Sequence, residues 1–314
     1  MSQRAVFRAT LAAWVALVIF ASSTAPNLRA SIITYGPPAP SWATAGFIAY
    51  HCGDSLCLIR PDGSGLRRLL STARPWPQWD PALSPKGTLL AFRGYYTPFA
   101  EGNYALYIVR TDGCALRRVT RSGAVNPSWS PDGRWIAFDT SGGGEIWKVH
   151  PDGSGLIRIA GNGQVDQDYL PAWSPDGTKI AFIRAHHGQG QIWVMRTNGS
   201  RAVLLRGDAG VFRGAPAWSH DSTRIAYANQ TGGHSSIEVI NSDGSSPRTL
   251  TDQRGRATSP VWLPRDTGIA FLDATSGKTN LRVMRADGRD VHPLTLKGTD
   301  QFRWSDTSLP TRRC

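Results

Sequence analysis

The chain repeats itself. The stretch Pro171-Ala172-Trp173-Ser174-Pro175-Asp176-Gly177-Thr178-Lys179-Ile180-Ala181-Phe182 recurs almost letter for letter between Asn126 and Phe138. Weaker copies run through Trp218 and Tyr227 and through Trp262 and Phe271, and one lacking the Trp runs from Leu83 to Phe92. The equivalent positions Leu83, Trp129, Trp173, Trp218, Trp262 and Trp304 follow one another at intervals of 42 to 46 residues. A fixed period of this length restricts the fold before any single residue is weighed, because each unit must bury its apolar surface against copies of itself.

Each copy reads as strand, tight turn, strand. Pro presets one φ of the turn, Asp bonds back to its own backbone and Gly takes the positive φ. A second series interleaves with the first. Runs such as Leu106-Tyr107-Ile108-Val109 and Ile192-Trp193-Val194-Met195 lead into Asp-Gly or Asn-Gly turns at Asp62, Asp112, Asp152, Asn198, Asp243 and Asp287. Such dipeptides suit hairpins, and a short segment such as Arg117-Arg118-Val119-Thr120 follows each. One unit is thus a meander of four antiparallel strands, the size of a propeller blade. Six units are countable, so the expected fold is all-β: a six-bladed β-propeller over residues 42–305. Blade one lacks a full first strand, and Phe302 to Ser305 supplies a spare one. The expectation is that this C-terminal strand completes blade one and closes the ring, leaving 306–314 as a tail.

The text P-x-W-S-P-D-G-x-x-I-A-F, followed by I-W-V-M-x-x-N-G-S, resembles the WD-40-like β-propeller repeat of the TolB C-terminal domain. The resemblance covers roughly residues 40 to 305. It implies the fold and leaves the activity open, since propellers host many unrelated functions. TolB-like proteins carry an α/β domain ahead of the propeller, and residues 26–41, rich in Pro, read as an irregular lead-in too short for one.

Residues 1–25 read as an export signal: Arg4 and Arg8, an apolar core from Leu11 to Phe20, then Ser23-Thr24-Ala25. The core is about half of the roughly 20 residues that span a bilayer, so no integral span is expected after cleavage. The expected location is periplasmic or extracellular. The chain carries 35 Lys and Arg against 23 Asp and Glu, a net charge of +12. Many of the Arg residues fall in outermost strands, where charge blocks edge-to-edge pairing. Nucleic acid is not an expected partner, since no motif for it appears. A protein or a cell-envelope carbohydrate is, with the chain itself a monomer.

Cys52 and Cys57 flank a hairpin and are expected to form a disulfide in an oxidising compartment; the pairing of Cys114 and Cys314 stays open. The hairpin text Gly53-Asp54-Ser55-Leu56 spells an esterase signature, but it lacks the strand-to-helix context that signature needs. No nucleophile elbow, zinc-protease or phosphate-loop motif is present. Each turn offers a single carboxylate, too few for a calcium loop, and no cofactor is expected.

Function on a rigid ring belongs to its variable loops, which lie on the face carrying the second-to-third-strand loops and the links between blades. Two of these are aromatic and should be neighbours: one holds Trp76, Trp79 and Asp80, and the other holds Tyr95, Tyr96 and Phe99, with Arg93 beside them. They suit a sugar ring or a peptide. A polar set, Asp166, Asp168, His186, His187, Asp208 and His234, offers metal ligands or an acid–base pair. Some propellers with the resembling repeat are oligogalacturonate lyases that use a metal held largely by His, although no matching spacing appears here. The expected function is a non-catalytic binding or scaffold protein. The alternative is a carbohydrate-active propeller enzyme, lyase- or hydrolase-like, with a His/Asp site.

Overall fold

In the fourth repeat, strands Lys179–His186 and Gln189–Arg196 are rich in β-branched and aromatic residues. Ile180, Ala181, Phe182 and Ile183 are buried in succession rather than alternately, which happens when both faces of a sheet are covered. The computed structural model describes residues 34–35, 47–52, 55–60, 65–70, 78–95, 104–140, 142, 144–161, 166–187, 189–207, 211–212, 214–276 and 280–294. They form six antiparallel blades, each running in strand order from the axis to the rim, and the result is a six-bladed β-propeller.

The innermost strands are Thr34–Tyr35, Gln78–Leu83, Ala124–Trp129, Gln167–Trp173, Ala217–Trp218 and Ala257–Trp262. In blade five this strand is interrupted, and Val211–Phe212 pairs with the same neighbour, Arg224–Thr231. The core is divided into layers between blades. Ala82, Ala91, Leu106 and Ile108 of blade two, for example, pack against Trp129, Ile136, Phe138 and Val149 of blade three. The layer between blade six and blade one, built on Ile48, Ile59, Val261 and Leu272, closes the ring.

The Trp of the repeat does more than fill these layers. Its indole Nε1–H donates to a carbonyl of the preceding blade's inner strand: Trp129 to Ala82 at 3.0 Å, Trp218 to Ala172 at 3.0 Å and Trp262 to Ala217 at 3.1 Å. Blade four departs from the pattern. There the Ser128 hydroxyl accepts the backbone N–H of Trp173 at 3.0 Å, and Trp173 Nε1 is buried with no hydrogen-bond partner.

The turns behave as their residues dictate. Asp132 Oδ1 accepts the Arg134 N–H and the Ser130 hydroxyl, and Ser130 Oγ accepts the Trp135 N–H. Blade four repeats this at Ser174, Asp176 and Thr178. Burial works against ionisation of Asp132 and Asp176, but these hydrogen bonds outweigh it and hold both below the usual carboxylate value. Gly177 adopts φ +73, and where blade five lacks the Gly, Ser222 adopts φ +60.

Ring closure differs from the expectation. The innermost place in blade one is taken by Thr34–Tyr35, which pairs with Ala49 and Ile48 and lies against the inner strands of blades two and six. Part of the supposed lead-in is therefore a strand. A segment just ahead of its partner in sequence closes a far shorter loop than one more than 250 residues away, at a lower entropic cost. Phe302 to Ser305, the signal segment and the tail lie outside the described residues. In the first hairpin, Cys57 stands opposite Tyr50, and Cys52 opposite Ser55, so the two Cys are diagonal rather than directly facing. Cys57 and Cys114 are both disulfide-bonded.

Two outcomes follow from this packing. Trp129→Phe keeps the ring but leaves the Ala82 carbonyl unpaired and should lower unfolding free energy by about 1–2 kcal/mol. Trp173→Phe removes an unpaired donor and should be neutral or stabilising. Denaturant unfolding of the two variants checks the contrast, and equal losses would mean that the indole bonds do not hold the blades. Thiol labelling of denatured, unreduced protein should find no free thiol at Cys57 or Cys114.

Candidate functional site

The innermost strands are bent where they approach the axis. In four blades the residue just before Pro takes a left-handed conformation: Asp80 at φ +54, Asn126 at +51, Leu170 at +55 and Ser259 at +52. Each sits at a break in register with the next strand, between Trp79 and Ala82, for example, or between Tyr169 and Ala172. Such a bulge turns backbone N–H groups out of the ladder. A non-glycine residue there is strained, Leu most of all. The bends line an axial cavity of about 140 Å³, to which Asp80, Asn126, Ser128, Trp173, His220 and Ser259 contribute.

Around the loop-bearing mouth, blades two to four supply a chain of charged groups. In blade two, Arg93 Nε lies 3.2 Å from Asp80 Oδ2, although neither atom makes an aligned hydrogen bond. The guanidinium also stands 5.7 Å from the ring centres of both Trp79 and Tyr104, and Tyr104 packs edge-on against Tyr95. In blade three, Asp139 is buried, and its Oδ1 accepts Asn126 Nδ2 at 2.9 Å and the backbone N–H of Leu170 at 3.0 Å. The bulge of blade four thus donates to a carboxyl of blade three. In blade four, the fully buried Asp168 forms a two-pronged pair with Arg184, at 2.7 and 2.9 Å, which raises the Arg184 pKa further. His186 Nδ1 lies 2.6 Å from Asp166 Oδ1.

Asp139 and Tyr169 join these pieces. Burial pushes Asp139 up to about 7; the Asn126 and Leu170 hydrogen bonds pull it back, Asp80 raises it and Arg93 lowers it. Burial also raises the Tyr169 hydroxyl, helped by the carboxylates of Asp139 and Asp168. That hydroxyl donates to Gln167 Oε1. The aromatic set and the polar set are therefore linked through a residue that sequence reasoning passed over. Asp139 follows the Ile-Ala-Phe strand text, where the other repeats place His51, Arg93, Ile183, Ala228 and Leu272. A carboxylate at a position otherwise apolar or basic was the one available signal.

Of the expected residues, Trp79, Asp80, Arg93 and Tyr95 come together, and so do Asp166, Asp168 and His186. The His187 ring packs edge-on against His186 at 4.2 Å. His234 is not part of the cluster: its Nδ1 lies 2.8 Å from the Arg254 carbonyl of its own blade's outgoing link. Asp168 is engaged by Arg184. No group of three His, Cys, Asp or Glu able to hold a metal exists among the described residues. Trp76, Tyr96, Phe99 and Asp208 lie outside the described residues.

With fold and site described, comparison with known proteins gives the family. The model of the TolB β-propeller domain matches residues 39–207 and 169–308. The chain belongs to the TolB β-propeller domain family. TolB from Acinetobacter baumannii is similar in structure, with a TM-score of 0.62 at 21% identity, over 82% of this chain and 62% of that one. The chain therefore spans less than two thirds of that TolB. A chain of a nidogen–laminin complex is similar at TM-score 0.61 and 10% identity, over 83% of this chain and 92% of that one. The oligogalacturonate lyase of Vibrio parahaemolyticus follows at 0.56 and 14%, over 76% and 73%. At such identities the likeness is one of fold. Among curated proteins nothing matches.

The Asp139 environment has a measurable consequence. Its ordinary pKa is 3.8 and its folded pKa about 7, so between these values the folded protein holds a proton that the unfolded chain has lost. Its contribution to stability therefore falls as pH rises from about 4 to about 7, and is level above that. Asp139→Asn keeps an acceptor for both donors and removes the titration. The variant should gain on the wild type by on the order of 1 kcal/mol per pH unit across that window. Chemical unfolding at several pH values checks it, and a constant difference would overturn it.

Proposed function

We propose that this TolB-family propeller is an exported, non-catalytic binding protein that holds a protein or a cell-envelope carbohydrate at the loop-bearing mouth of its axis. The observation that carries the reading is a buried donor left without a partner in the axial cavity, Trp173 Nε1. Buried polar groups are rarely left so, and a ligand entering the axis would satisfy it. A cavity of about 140 Å³ admits one protruding group of a larger partner rather than a whole ligand. The rest of the contact then falls on the mouth, where Arg93 lies against the rings of Trp79 and Tyr104 and Tyr95 packs on Tyr104. Aromatic and Arg side chains of this kind dominate binding energies. A chain of similar fold in a nidogen–laminin complex supports a protein as the partner.

Export rests on residues 1–25. No helix of the described residues is long and apolar enough to cross a membrane. The ligand is proposed to meet a monomer.

A catalytic reading has one observation in its favour, a carboxyl poised near neutrality at Asp139. A general acid or base must reach the proton it moves, whereas Asp139 is only 2% exposed and its Oδ1 is occupied. The His186–Asp166 pair at the rim of the mouth is the other acid–base candidate in that reading.

The test is a panel of envelope proteins and acidic and neutral cell-wall oligosaccharides, assayed with and without divalent metal. Trp79→Ala and Arg93→Gln should each weaken capture by about 2 kcal/mol or more, while His186→Ala and His234→Ala should leave it unchanged. Product formation that needs metal and is lost in His186→Ala would establish the enzyme instead.

A further inference from the structure

Among the described residues five large apolar side chains are exposed, and four of them fall on neighbouring outer strands. Leu156 and Ile157, 54% and 46% exposed, begin the outer edge of blade three; Val203 and Leu204, 56% and 43% exposed, begin that of blade four. By register, Ile157 and Val203 take the place of Arg67 and Arg117, and Leu204 that of Arg68 and Arg118, while blade three keeps Arg158 there and Leu156 matches Leu66 and Leu116. Charge on an outer strand protects an edge from pairing. Two adjacent blades have given up part of that protection.

The two edges form one surface. Lys148 of blade three donates to the Thr197 carbonyl of blade four at 3.0 Å. A Cβ on Gly199 would come within 2.0 Å of the Ile159 carbonyl, so this positive-φ glycine lets the turn of blade four lie directly on the outer strand of blade three. The apolar residues therefore sit on adjoining outer edges, beside the tight-turn face. Cationic groups border this corner. Arg117 reaches across from blade two, its Nη1 2.6 Å from the Pro151 carbonyl. Arg158, ion-paired with Glu145 at 2.7 Å, adjoins Ile157, and the exposed Arg201 precedes Val203 by two residues.

We propose that this corner docks on the surface of an anionic phospholipid bilayer, with the four aliphatic side chains entering the headgroup–acyl boundary and the Arg residues meeting the headgroups. Exposed aliphatic side chains flanked by Arg suit a lipid interface. A second copy of the chain, itself basic with a net charge of +12, would set like charge against like, whereas an anionic surface complements the bordering Arg residues. The corner lies on the side of the disc away from the loop-bearing mouth, so lipid docking leaves that mouth open and does not depend on what it binds.

Hydrogen–deuterium exchange of the full chain tests this, because it locates the contact whatever the N-terminal segment does. Vesicles of phosphatidylcholine with about one quarter phosphatidylglycerol should slow exchange over 156–160 and 203–206. Pure phosphatidylcholine should not, and about 0.5 M salt should reverse the effect. A Leu156→Ser, Val203→Ser double variant should bind the anionic vesicles about tenfold more weakly or worse. Because both positions are exposed, the variant should fold, and the wild-type exchange map stands without it. Protection found only elsewhere, equal protection by neutral vesicles, or an unchanged double variant would overturn the proposal. So would protection that appears with rising protein concentration and no lipid, which would make the occupant a second copy.

Discussion

No blade of this ring has a core of its own. Each sheet is apolar on both faces, and its stability comes from the layer it shares with a neighbour, as Phe138 of blade three shares one with Leu106 and Ile108 of blade two. The repeated Trp ties adjacent layers together. It fills the space between blades and donates its N–H to the preceding inner strand, so burial and hydrogen bonding act at one residue. Every other feature depends on this contact, since the axial cavity exists only while the ring is closed.

The same repetition makes departures informative. Where blade four follows the pattern in packing but not in hydrogen bonding, Trp173 is left with an unused donor beside the axis. Where the apolar strand text ends in Asp139, a carboxyl is buried and then accommodated by a strained backbone: Leu170 adopts φ +55, and its N–H meets that carboxyl. A left-handed Leu costs on the order of 1 kcal/mol or more. The charge-assisted bond across the blade boundary offsets part of that cost when Asp139 is ionised. The axis and its mouth thus combine strain, buried charge and an unsatisfied polar atom, features that accumulate where a protein binds something. The outer corner shows the converse, since its signal is apolar residues where blades one and two place Arg.

The two ends of the ring show how local and global constraints compete. The spare Trp304 text pointed to the C-terminal segment as the inner strand of blade one. Thr34–Tyr35 takes that place instead. Two residues carry almost no periodic signal, and nothing in their chemistry marks a strand until its partner, Ile48–Cys52, is in place beside them.

What the sequence determined by itself is the architecture: the number of blades, the strand order within each, and the turn chemistry of Ser130, Asp132 and their copies. These are encoded in short, repeated stretches whose physics is local, so a period and a few turn residues suffice to read them. The aromatic and polar loop sets could also be named from sequence, because loops of variable composition stand out against a regular repeat. Only the tertiary structure decided that Trp79, Asp80 and Arg93 are linked through Asp139 and Tyr169 to Asp168 and Arg184, that His234 is not part of that cluster, and which strand closes blade one. Those facts depend on contacts between blades, made by residues roughly one repeat apart, and on a bulge geometry that no single stretch of sequence specifies.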